Sequence, residues 1–360
     1  MKKYLITAII IITGLLTAAC GSRKEDASIK STEALTDVEK ISVESADKKE
    51  NDRLEVYTSF YPLYDFAVKI GGDKVKVINL VPAGTEPHDW EPATTDILSL
   101  EKADMLIYNG AGMEHWVDQV SASLENENLI LLEASNGITL LDGVEHEDEH
   151  AGEDEHADED EQAGEDKQAE DKHTDENEAE SGIEDHEGFD PHVWLSIRNG
   201  KKEMENIKDA FVKADPDNKD YFEANFVKYA AEFDALDQKF SQELSGLTNK
   251  DLIVAHQAFA YLCADYDLNQ VAIEGLAADS EPDAKRMAEI IDFARDKEIK
   301  TIFFEELVSP KVAETIAAEI GAQTAVLNPL EGLTQEQLNA GEDYLSIMEK
   351  NLNALVSALK

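Results

Sequence analysis

The sequence predicts an α/β protein of two lobes, each a parallel sheet flanked by helices, joined by one long rigid helix, with a cleft between the lobes. Strand-like apolar runs alternate with helical patterns from Leu54 onward, which is typical of parallel sheets covered on both faces. The alternation is interrupted once by a long helical stretch and then resumes. The 360 residues, 42% of them hydrophobic, are enough to build two such lobes.

The first residues predict an export signal that ends in a lipid anchor. Two lysines precede an apolar run over residues 4–16, which is too short to span a membrane. Small residues in "LTAAC" then lead to Cys20, as in bacterial lipoprotein signals, although Thr17 stands where leucine is usual. An ordinary secretory signal is the alternative. We expect residues 1–20 to be a lipoprotein signal, with Cys20 lipidated as the first mature residue, and the protein to be anchored outside the cytoplasm to a bacterial cell membrane.

Residues 21–53 are polar and charged and show no sustained periodicity, so they predict a disordered tether. The other cysteine, Cys263, lies in an apolar helical pattern and has no partner once Cys20 is acylated. A disulfide framework is therefore excluded, and we expect Cys263 to be a buried thiol.

The N-terminal lobe is predicted over residues 54–216. The predicted strands are "LEVYTSFY", "VKVINLVP", "DMLIYNG" and "NLILLEA", and the predicted helices are "PLYDFAVKIGG", "TTDILSLEKA" and "MEHWVDQVSASL". One more helix is expected at about 199–214, because Pro216 interrupts the helical pattern there.

A linking helix is predicted over about 217–244, in a linker assigned to residues 217–247. Its aromatic and apolar residues recur at helical spacing: Tyr221, Phe222, Phe226, Tyr229, Phe233, Leu236 and Phe240. At ~1.5 Å per residue it would be about 40 Å long, enough to act as a strut across the domain.

The C-terminal lobe is predicted over residues 248–360. The predicted strands are "LIVAH", "NQVAIEG", "IKTIFFEEL" and "QTAVLNPL", and the predicted helices are "AFAYLCADYDL", "PDAKRMAEIIDFARDKE", "SPKVAETIAAEIG" and "DYLSIMEKNLNALVSALK". Ligands bind at the carboxyl ends of such strands and between lobes, so the cleft is the expected site.

An acidic run over residues 145–187 lies inside the N-terminal lobe. Its 22 acidic residues and two lysines supply −20 of the formal net charge of −46, and it is too polar to fold. We expect a disordered loop over residues 144–187. The charge makes nucleic acid and anionic membrane surfaces poor partners and small cations better ones. The run contains five of the nine histidines: His146, His150, His156, His173 and His186.

Three of the other histidines stand at comparable places in the predicted lobes. His88 follows a strand, His192 precedes the helical half of the chain, and His256 ends the first strand of the C-terminal lobe. A lone histidine is usually a hydrogen-bonded structural residue, but three that converge on a cleft favour a metal, since imidazole is the preferred nitrogen ligand of Zn²⁺. His115 is expected to be a partly exposed residue early in a helix.

Several segments resemble the zinc-binding solute-binding lipoproteins of bacterial ABC importers, in the cluster that includes manganese-binding relatives. These segments are "GTEPHDWEP", "FDPHVWLS", "IVAHQAFAYL", "FFEELVSPKVAETIAAEIGAQTAVLNPLEG" and "YLSIMEKNLNALVSAL". The resemblance covers nearly everything from Leu54 to the C-terminus apart from the acidic run. It implies two α/β lobes bridged by a rigid helix, with metal between them.

The resemblance implies that His88, His192 and His256 are metal ligands. Manganese-binding relatives typically have glutamate where His256 stands, so zinc is favoured. The fourth ligand is implied to be a carboxylate from a late turn, or a water. We choose Glu331, and Glu305 and Glu306 are the alternatives.

The expected function is the capture of Zn²⁺ and its delivery to the membrane permease of an ABC importer, by a monomer that is not an enzyme. The sequence has no glycine-rich phosphate loop and no "GxSxG" elbow. A manganese or other divalent-metal binding protein, a metallohydrolase and a surface adhesin are the alternatives. The family often carries a histidine-rich acidic loop between its first two ligand motifs, so the run is predicted to collect metal weakly, or else only to contribute charge.

Overall fold

Two four-stranded parallel sheets organise the computed structural model, which describes residues 53–143, 188–276 and 282–360. The strands are β1 Leu54–Thr58, β2 Val75–Asn79, β3 Met105–Tyr108, β4 Ile130–Glu133, β5 Asp251–Val254, β6 Asn269–Ala272, β7 Thr301–Phe304 and β8 Gln323–Val326. The order is β2-β1-β3-β4 in the first sheet and β6-β5-β7-β8 in the second. The two-lobe α/β fold predicted from the sequence is confirmed. The predicted signal, the tether up to residue 52 and the acidic loop lie outside the described residues.

Helices connect the strands within each sheet, link the two sheets and follow the last strand. They are α1 Tyr61–Gly71, α2 Thr94–Leu100, α3 Val117–Ser123, α4 Ile197–Ala214, α5 Lys219–Leu244, α6 Ala260–Tyr266, α7 Ala284–Asp296, α8 Lys311–Ile320, α9 Gln335–Ala340 and α10 Tyr344–Leu359. No helix within the described ranges combines the length and the apolar character needed to span a membrane.

The shared strand order gives each sheet a point where the chain changes direction. β1 pairs with β2 on one side and with β3 on the other, and β5 pairs in the same way with β6 and β7. The loops after the two strands on either side of such a point diverge and leave a crevice at the carboxyl ends. Both lobes therefore provide a crevice for a ligand.

The long helix α5 packs against elements of both lobes. Phe233 contacts Phe66 of α1 edge-to-face, with 5.8 Å between ring centroids, and stacks on Tyr344 of α10 at 5.1 Å. Two helical turns further along α5, Phe240 contacts Tyr266 of α6. These rings belong to a buried cluster that draws residues from both lobes. The cluster supports the expected role of α5 as a strut.

Local structure differs from the sequence predictions at the starts of two helices. Residues Pro216–Asn218 form a 3₁₀ turn, so α5 begins at Lys219. The helix expected from Met113 begins only at Val117, because the Glu114 carboxylate accepts hydrogen bonds from the backbone of Asn109 and Gly110 and holds a turn there.

The short helix α9 was not predicted. Its start is fixed by a capping box between Thr334 and Gln337, and its end by Gly341 in the left-handed region. Both signals are readable in "TQEQLNAG". The predicted buried thiol is confirmed: Cys263 is buried, and burial raises its pKa to about 12.

Glu203 of α4 is a buried acid without a partner. Neither carboxylate oxygen has a hydrogen-bond partner among the described residues. Burial and the charge of Glu114 raise the pKa of Glu203 well above its ordinary value of 4.5. In the unfolded chain the carboxyl ionises near that value, while in the folded chain it stays protonated. The free energy of unfolding therefore falls as pH rises above about 4.5, by ~1.4 kcal/mol per pH unit until the folded-state pKa is reached.

Replacing Glu203 with glutamine should remove this pH dependence. We expect the free energy of unfolding of Glu203→Gln, relative to the natural chain, to rise as pH is raised from about 5 to about 7, by about 1.4 kcal/mol per unit. Urea unfolding followed by circular dichroism at several pH values would measure it. Glu232→Gln, on the exposed face of α5, is the matched control and should follow the natural chain. A constant difference at every pH would contradict the assignment of a protonated Glu203.

Candidate metal centre

Four side chains from four separate segments converge between the two sheets. His88 lies in the loop after β2, His192 precedes a 3₁₀ turn at Val193–Leu195, His256 follows β5 and Glu331 follows β8. One ligand atom from each lies within 4.8 Å of the others. The side chain of His88 is 10% exposed, those of His192 and His256 are fully buried, and that of Glu331 is 2% exposed.

Five of the six distances among these atoms match those of a tetrahedron. The Nε2 atom of His192 lies 3.1 Å from that of His88 and 3.3 Å from that of His256. Oε1 of Glu331 lies 3.4 Å from the Nε2 atom of His88 and 3.2 Å from those of His192 and His256. Four ligands at ~2.0–2.1 Å from a tetrahedral Zn²⁺ lie about 3.3 Å apart. The five distances therefore fit one zinc ion at the centre.

The carboxylate of Glu331 points to the same conclusion. Its Oε1 atom is buried and has no hydrogen-bond partner among the described residues, although it faces three imidazole nitrogens. A buried carboxylate oxygen is stable when it is paired or coordinates a metal. A cation bound to all four atoms would satisfy it.

Two further carboxylates orient the buried imidazoles. Nδ1 of His192 lies 2.8 Å from Oδ1 of Asp190, and Nδ1 of His256 lies 2.6 Å from Oε1 of Glu305. A carboxylate at Nδ1 favours the proton on that nitrogen, which leaves the Nε2 lone pair directed into the cluster. This carboxylate–histidine pairing is usual around metal ligands and raises their basicity.

The segment that carries His192 is held by both lobes. Asn109, after β3, donates from Nδ2 to the carbonyl of Pro191 at 2.9 Å. Tyr261 of α6 donates from its hydroxyl to the carbonyl of Asp190 at 2.7 Å. The position of His192 is thus fixed against the N-terminal sheet and a helix of the C-terminal lobe together.

The Glu331 loop is fixed by side chains from distant elements. Asn351 of α10 accepts from the backbone amide of Asn328 at 2.9 Å and donates to its carbonyl at 2.7 Å. Trp194 donates from Nε1 to the carbonyl of Pro329 at 2.8 Å, and its ring contacts that of His192 at 5.3 Å. Leu330 has a φ of 60°, a conformation that costs energy without glycine, and these bonds maintain it.

The His88 loop is held more lightly. Its carboxylate partner, Glu86, accepts from the backbone amide of His88 at 3.1 Å, so the backbone and not the ring is held. Gly84 donates to the carbonyl of Leu333 at 3.0 Å, which ties the loop to the segment after Glu331. Of the four side chains, that of His88 is the most exposed and the least constrained.

The charges of the cluster depend on one another. Although burial opposes it, the charge of Asp190 raises the pKa of His192. The charges of Glu305 and Glu331 likewise overcome burial and raise the pKa of His256 well above its ordinary value. Burial acts against the ionised form of Glu331, but the charge of His256 and the three imidazole nitrogens that face the carboxylate lower its pKa well below the usual range. Without metal, the site is stabilised by protons on imidazoles beside an ionised carboxylate.

The structure brings together all four residues that the sequence and the resemblance selected. Glu305, one alternative fourth ligand, instead pairs with His256, and Glu306, the other, accepts from the side chains of Asn328 and Gln337. His115 is exposed, outside the cluster, and precedes α3 instead of lying within the predicted helix. The five histidines of the acidic run lie outside the described residues.

Sequence reasoning missed the orienting role of Asp190. It stands two residues before His192 in "DPH". Its Oδ1 atom contacts both the backbone amide and the ring Nδ1 of His192. An aspartate so close to a candidate histidine ligand was the available signal.

The fold and the site define a class: a two-lobed protein that can hold one metal ion between its lobes. Comparison with known proteins narrows the class to a family. The family described as ZnuA, zinc-uptake complex component A periplasmic, matches residues 56–358. The chain belongs to this family.

Individual relatives agree with this assignment. The high-affinity zinc uptake system protein ZnuA of Bacillus subtilis (strain 168) is 39% identical over 358 residues, 99% of this chain and 98% of that protein. The zinc-binding lipoprotein AdcA of Streptococcus pneumoniae serotype 4 is 38% identical over 86% of this chain, which spans 57% of that longer protein. The crystal structure of the Zn(II)-bound ZnuA-like domain of Streptococcus pneumoniae AdcA is similar with a TM-score of 0.67 and 36% identity, covering 85% of this chain and 99% of that domain.

Zinc affinity should fall as pH is lowered. Protons and metal compete for the same Nε2 atoms. Because the pKa values of His192 and His256 are raised, these imidazoles bind protons more tightly and the competition is stronger. The loss should therefore begin above pH 6.5, the ordinary value for histidine, and reach about tenfold per pH unit for each proton displaced. Competition with a chromophoric chelator between about pH 8 and pH 5.5 would measure it.

Glu305→Gln provides the matched variant for this titration. It keeps the size of the side chain but removes one of the charges that raise the pKa of His256. Its affinity at high pH should be lower, and its loss of affinity should begin at a lower pH. An affinity that does not change across this range would argue against a site made of imidazoles.

Proposed function

We propose that the chain captures extracytoplasmic Zn²⁺ between its lobes and delivers it to the permease of an ABC-type zinc importer. The observation that carries the proposal is the tetrahedron of three imidazole nitrogens and one carboxylate oxygen, buried between the two sheets. Family membership and the zinc-uptake and zinc-binding names of the relatives support the same cargo.

The ligand set favours zinc over manganese. Zn²⁺ takes nitrogen ligands in tetrahedral sites, whereas Mn²⁺ prefers more oxygen ligands and six-coordinate geometry. His256 contributes a nitrogen, and the observed spacing suits four ligands at short distance. A fifth or sixth ligand would need an approach past side chains that are almost fully buried.

Burial also favours binding over catalysis. A catalytic zinc keeps a coordination position open for water or substrate, beside a general base. Here four protein atoms occupy the corners of a tetrahedron, and Asp190 and Glu305 are engaged with Nδ1 of the histidines. We propose that the protein binds and releases its metal without chemical change.

The proposal extends to the placement of the protein. Residues 1–20 would be the lipoprotein signal with Cys20 lipidated, residues 21–53 the tether, and the folded part a monomer outside the cytoplasm. The lobes would span 54–216 and 248–360, with 217–247 as the linker. The lipoprotein name of the Streptococcus pneumoniae relative supports a lipid anchor.

Metal content tests the function directly. After purification without added metal, elemental analysis should find zinc at about one ion per chain. His192→Ala should lower the zinc affinity at least about 100-fold, because a ligand held by both lobes is lost, while the fold measured by circular dichroism is kept. His115→Gln is the control outside the cluster and should bind like the natural chain. Manganese in place of zinc, or an unchanged affinity of His192→Ala, would refute the proposal.

The structure also allows the acidic run to be removed cleanly. Asp142 and Phe189 form an antiparallel bridge, and the amide of Gly143 donates to the carbonyl of Gly188 at 2.7 Å. The residues that flank the segment 144–187 therefore meet in the folded protein, and a short connector of a few residues suffices.

Deleting residues 145–187 should leave one tight zinc site, because all four proposed ligands lie outside the cut. Weak additional zinc equivalents should disappear from a calorimetric titration, since five imidazoles and 22 carboxylates are removed. The rate of zinc capture at low zinc concentration should fall, because a segment with a net charge of −20 is no longer present to concentrate cations near the site. A charge-matched control that keeps the acidic residues but replaces the five histidines with glutamine separates metal collection from charge. Loss of the tight site on deletion would make a histidine of the run a primary ligand.

A further inference from the structure

Asn328, two residues after β8, uses each of its four polar groups in a hydrogen bond. Its backbone amide donates to Oδ1 of Asn351 at 2.9 Å, and its carbonyl accepts from Nδ2 of Asn351 at 2.7 Å. Its Oδ1 atom accepts from the backbone amide of Leu330 at 2.7 Å, and its Nδ2 atom donates to the carboxylate of Glu306. Both asparagines are buried. Asn328 therefore joins α10, the segment after β7 and the loop that carries Glu331.

The loop between Asn328 and Glu331 depends on these bonds. Leu330 is fully buried and has a φ of 60°, which costs energy in a residue other than glycine. The bond from its amide to Oδ1 of Asn328 holds this turn from one side, and Trp194 binds the carbonyl of Pro329 from the other. Glu331 follows directly, so a change in the conformation of the loop would move its carboxylate.

Glu306 extends the same connection to a second part of the metal centre. Its carboxylate accepts from Nδ2 of Asn328 and from Nε2 of Gln337. Its neighbour in the chain, Glu305, lies with Oε1 2.6 Å from Nδ1 of His256. The loop of the carboxylate ligand and the partner of an imidazole ligand thus share one buried anchor.

The metal centre requires accurate placement of the carboxylate. Oε1 of Glu331 lies 3.4 Å from Nε2 of His88 and 3.2 Å from those of His192 and His256. Distances within a metal site must stay within about 0.2 Å of their ideal values. One oxygen faces all three imidazoles, so a small displacement of the loop would remove it from the coordination sphere and water would take its place.

We propose that Asn351, acting through Asn328, is a positioning residue for the metal: it keeps Oε1 of Glu331 at the fourth corner of the tetrahedron. The proposal rests on zinc being the cargo of this centre. The two side-chain bonds of Asn351 hold the backbone of Asn328, and Asn328 fixes the turn at Leu330. Neither asparagine belongs to the four-ligand cluster, so both act on zinc through the position of Glu331.

Asn351→Leu tests the proposal, because leucine has a similar volume and removes both bonds. We expect the zinc affinity to fall about tenfold to 100-fold, as is typical when a group that orients a ligand is lost. Competition with a chromophoric chelator would measure it, at a temperature where circular dichroism shows the variant to be folded. Asn353→Leu, the same change at an exposed position of α10, is the matched control and should bind like the natural chain.

Bound Co²⁺ provides a readout that a loss of stability alone would not change. At this centre in the natural chain, Co²⁺ should give the strong visible absorption of a tetrahedral ion. We expect the absorption to weaken in Asn351→Leu, because water replaces Oε1 of Glu331 and raises the coordination number. A natural spectrum together with a natural zinc affinity in the folded variant would overturn the proposal.

Asn351→Asp should restore the site as long as the introduced carboxyl is neutral. A neutral carboxyl can accept from the amide of Asn328 and donate to its carbonyl, whereas an ionised carboxylate cannot donate. Burial raises the pKa of such a group. At about pH 6 the zinc affinity should be close to that of the natural chain at the same pH, and it should decrease only as rising pH ionises the carboxyl. A loss at pH 6 as large as that of Asn351→Leu would contradict the proposal.

Glu306→Ala decides the case in which Asn351→Leu does not fold. Glu306 is exposed, and its replacement removes one bond of Asn328. It should weaken zinc binding about threefold, the effect of one hydrogen bond, while Glu336→Ala, at an exposed position of α9, should not. An unchanged affinity in Glu306→Ala would then overturn the proposal. If the natural chain bound no zinc, the proposed function would fail instead, and the two results are therefore distinguishable.

Discussion

Three imidazole nitrogens and a carboxylate oxygen must be kept about 3.3 Å apart in a buried place, and much of the surrounding structure serves this requirement. Such groups repel or attract one another strongly where water is excluded, so each needs a fixed partner. Asp190 and Glu305 provide partners for His192 and His256 on the side away from the cluster. Glu331 balances the histidines from within it.

The two sheets meet this requirement by repeating one topology. Each has its change of direction between its two central strands, and each contributes to the site from the carboxyl ends of its strands. His256 follows the central strand β5, and its partner Glu305 follows the adjacent strand β7. In the N-terminal lobe, Asn109 follows β3 and holds the segment of His192. The helix α5 and the aromatic contacts of Phe233 stabilise the lobes around it.

The sequence predicted those parts of the site that depend on local pattern. The histidines could be found because each stands beside a strand or turn with a clear apolar or proline signal. The choice of Glu331 over Glu305 and Glu306 came from family resemblance, since all three acids follow strands of the C-terminal lobe. What separates them is tertiary: Asn351 and Trp194 turn the Glu331 loop into the cleft, and neither lies near it in sequence. The turn at Glu114 escaped prediction for a local reason: its carboxylate accepts hydrogen bonds from the backbone just after β3, a side-chain contact that the helical pattern of the segment does not reveal.

The backbone contact between Gly143 and Gly188 has a consequence for how such proteins diversify. Because the residues on either side of the acidic run contact each other in the folded lobe, a change in the length of the run costs little loop-closure free energy. We therefore expect the length of the run and its number of histidines to vary without disturbing the core. The same junction is a natural position for inserting a foreign domain, such as a fluorescent reporter, a few residues from the segment that carries His192.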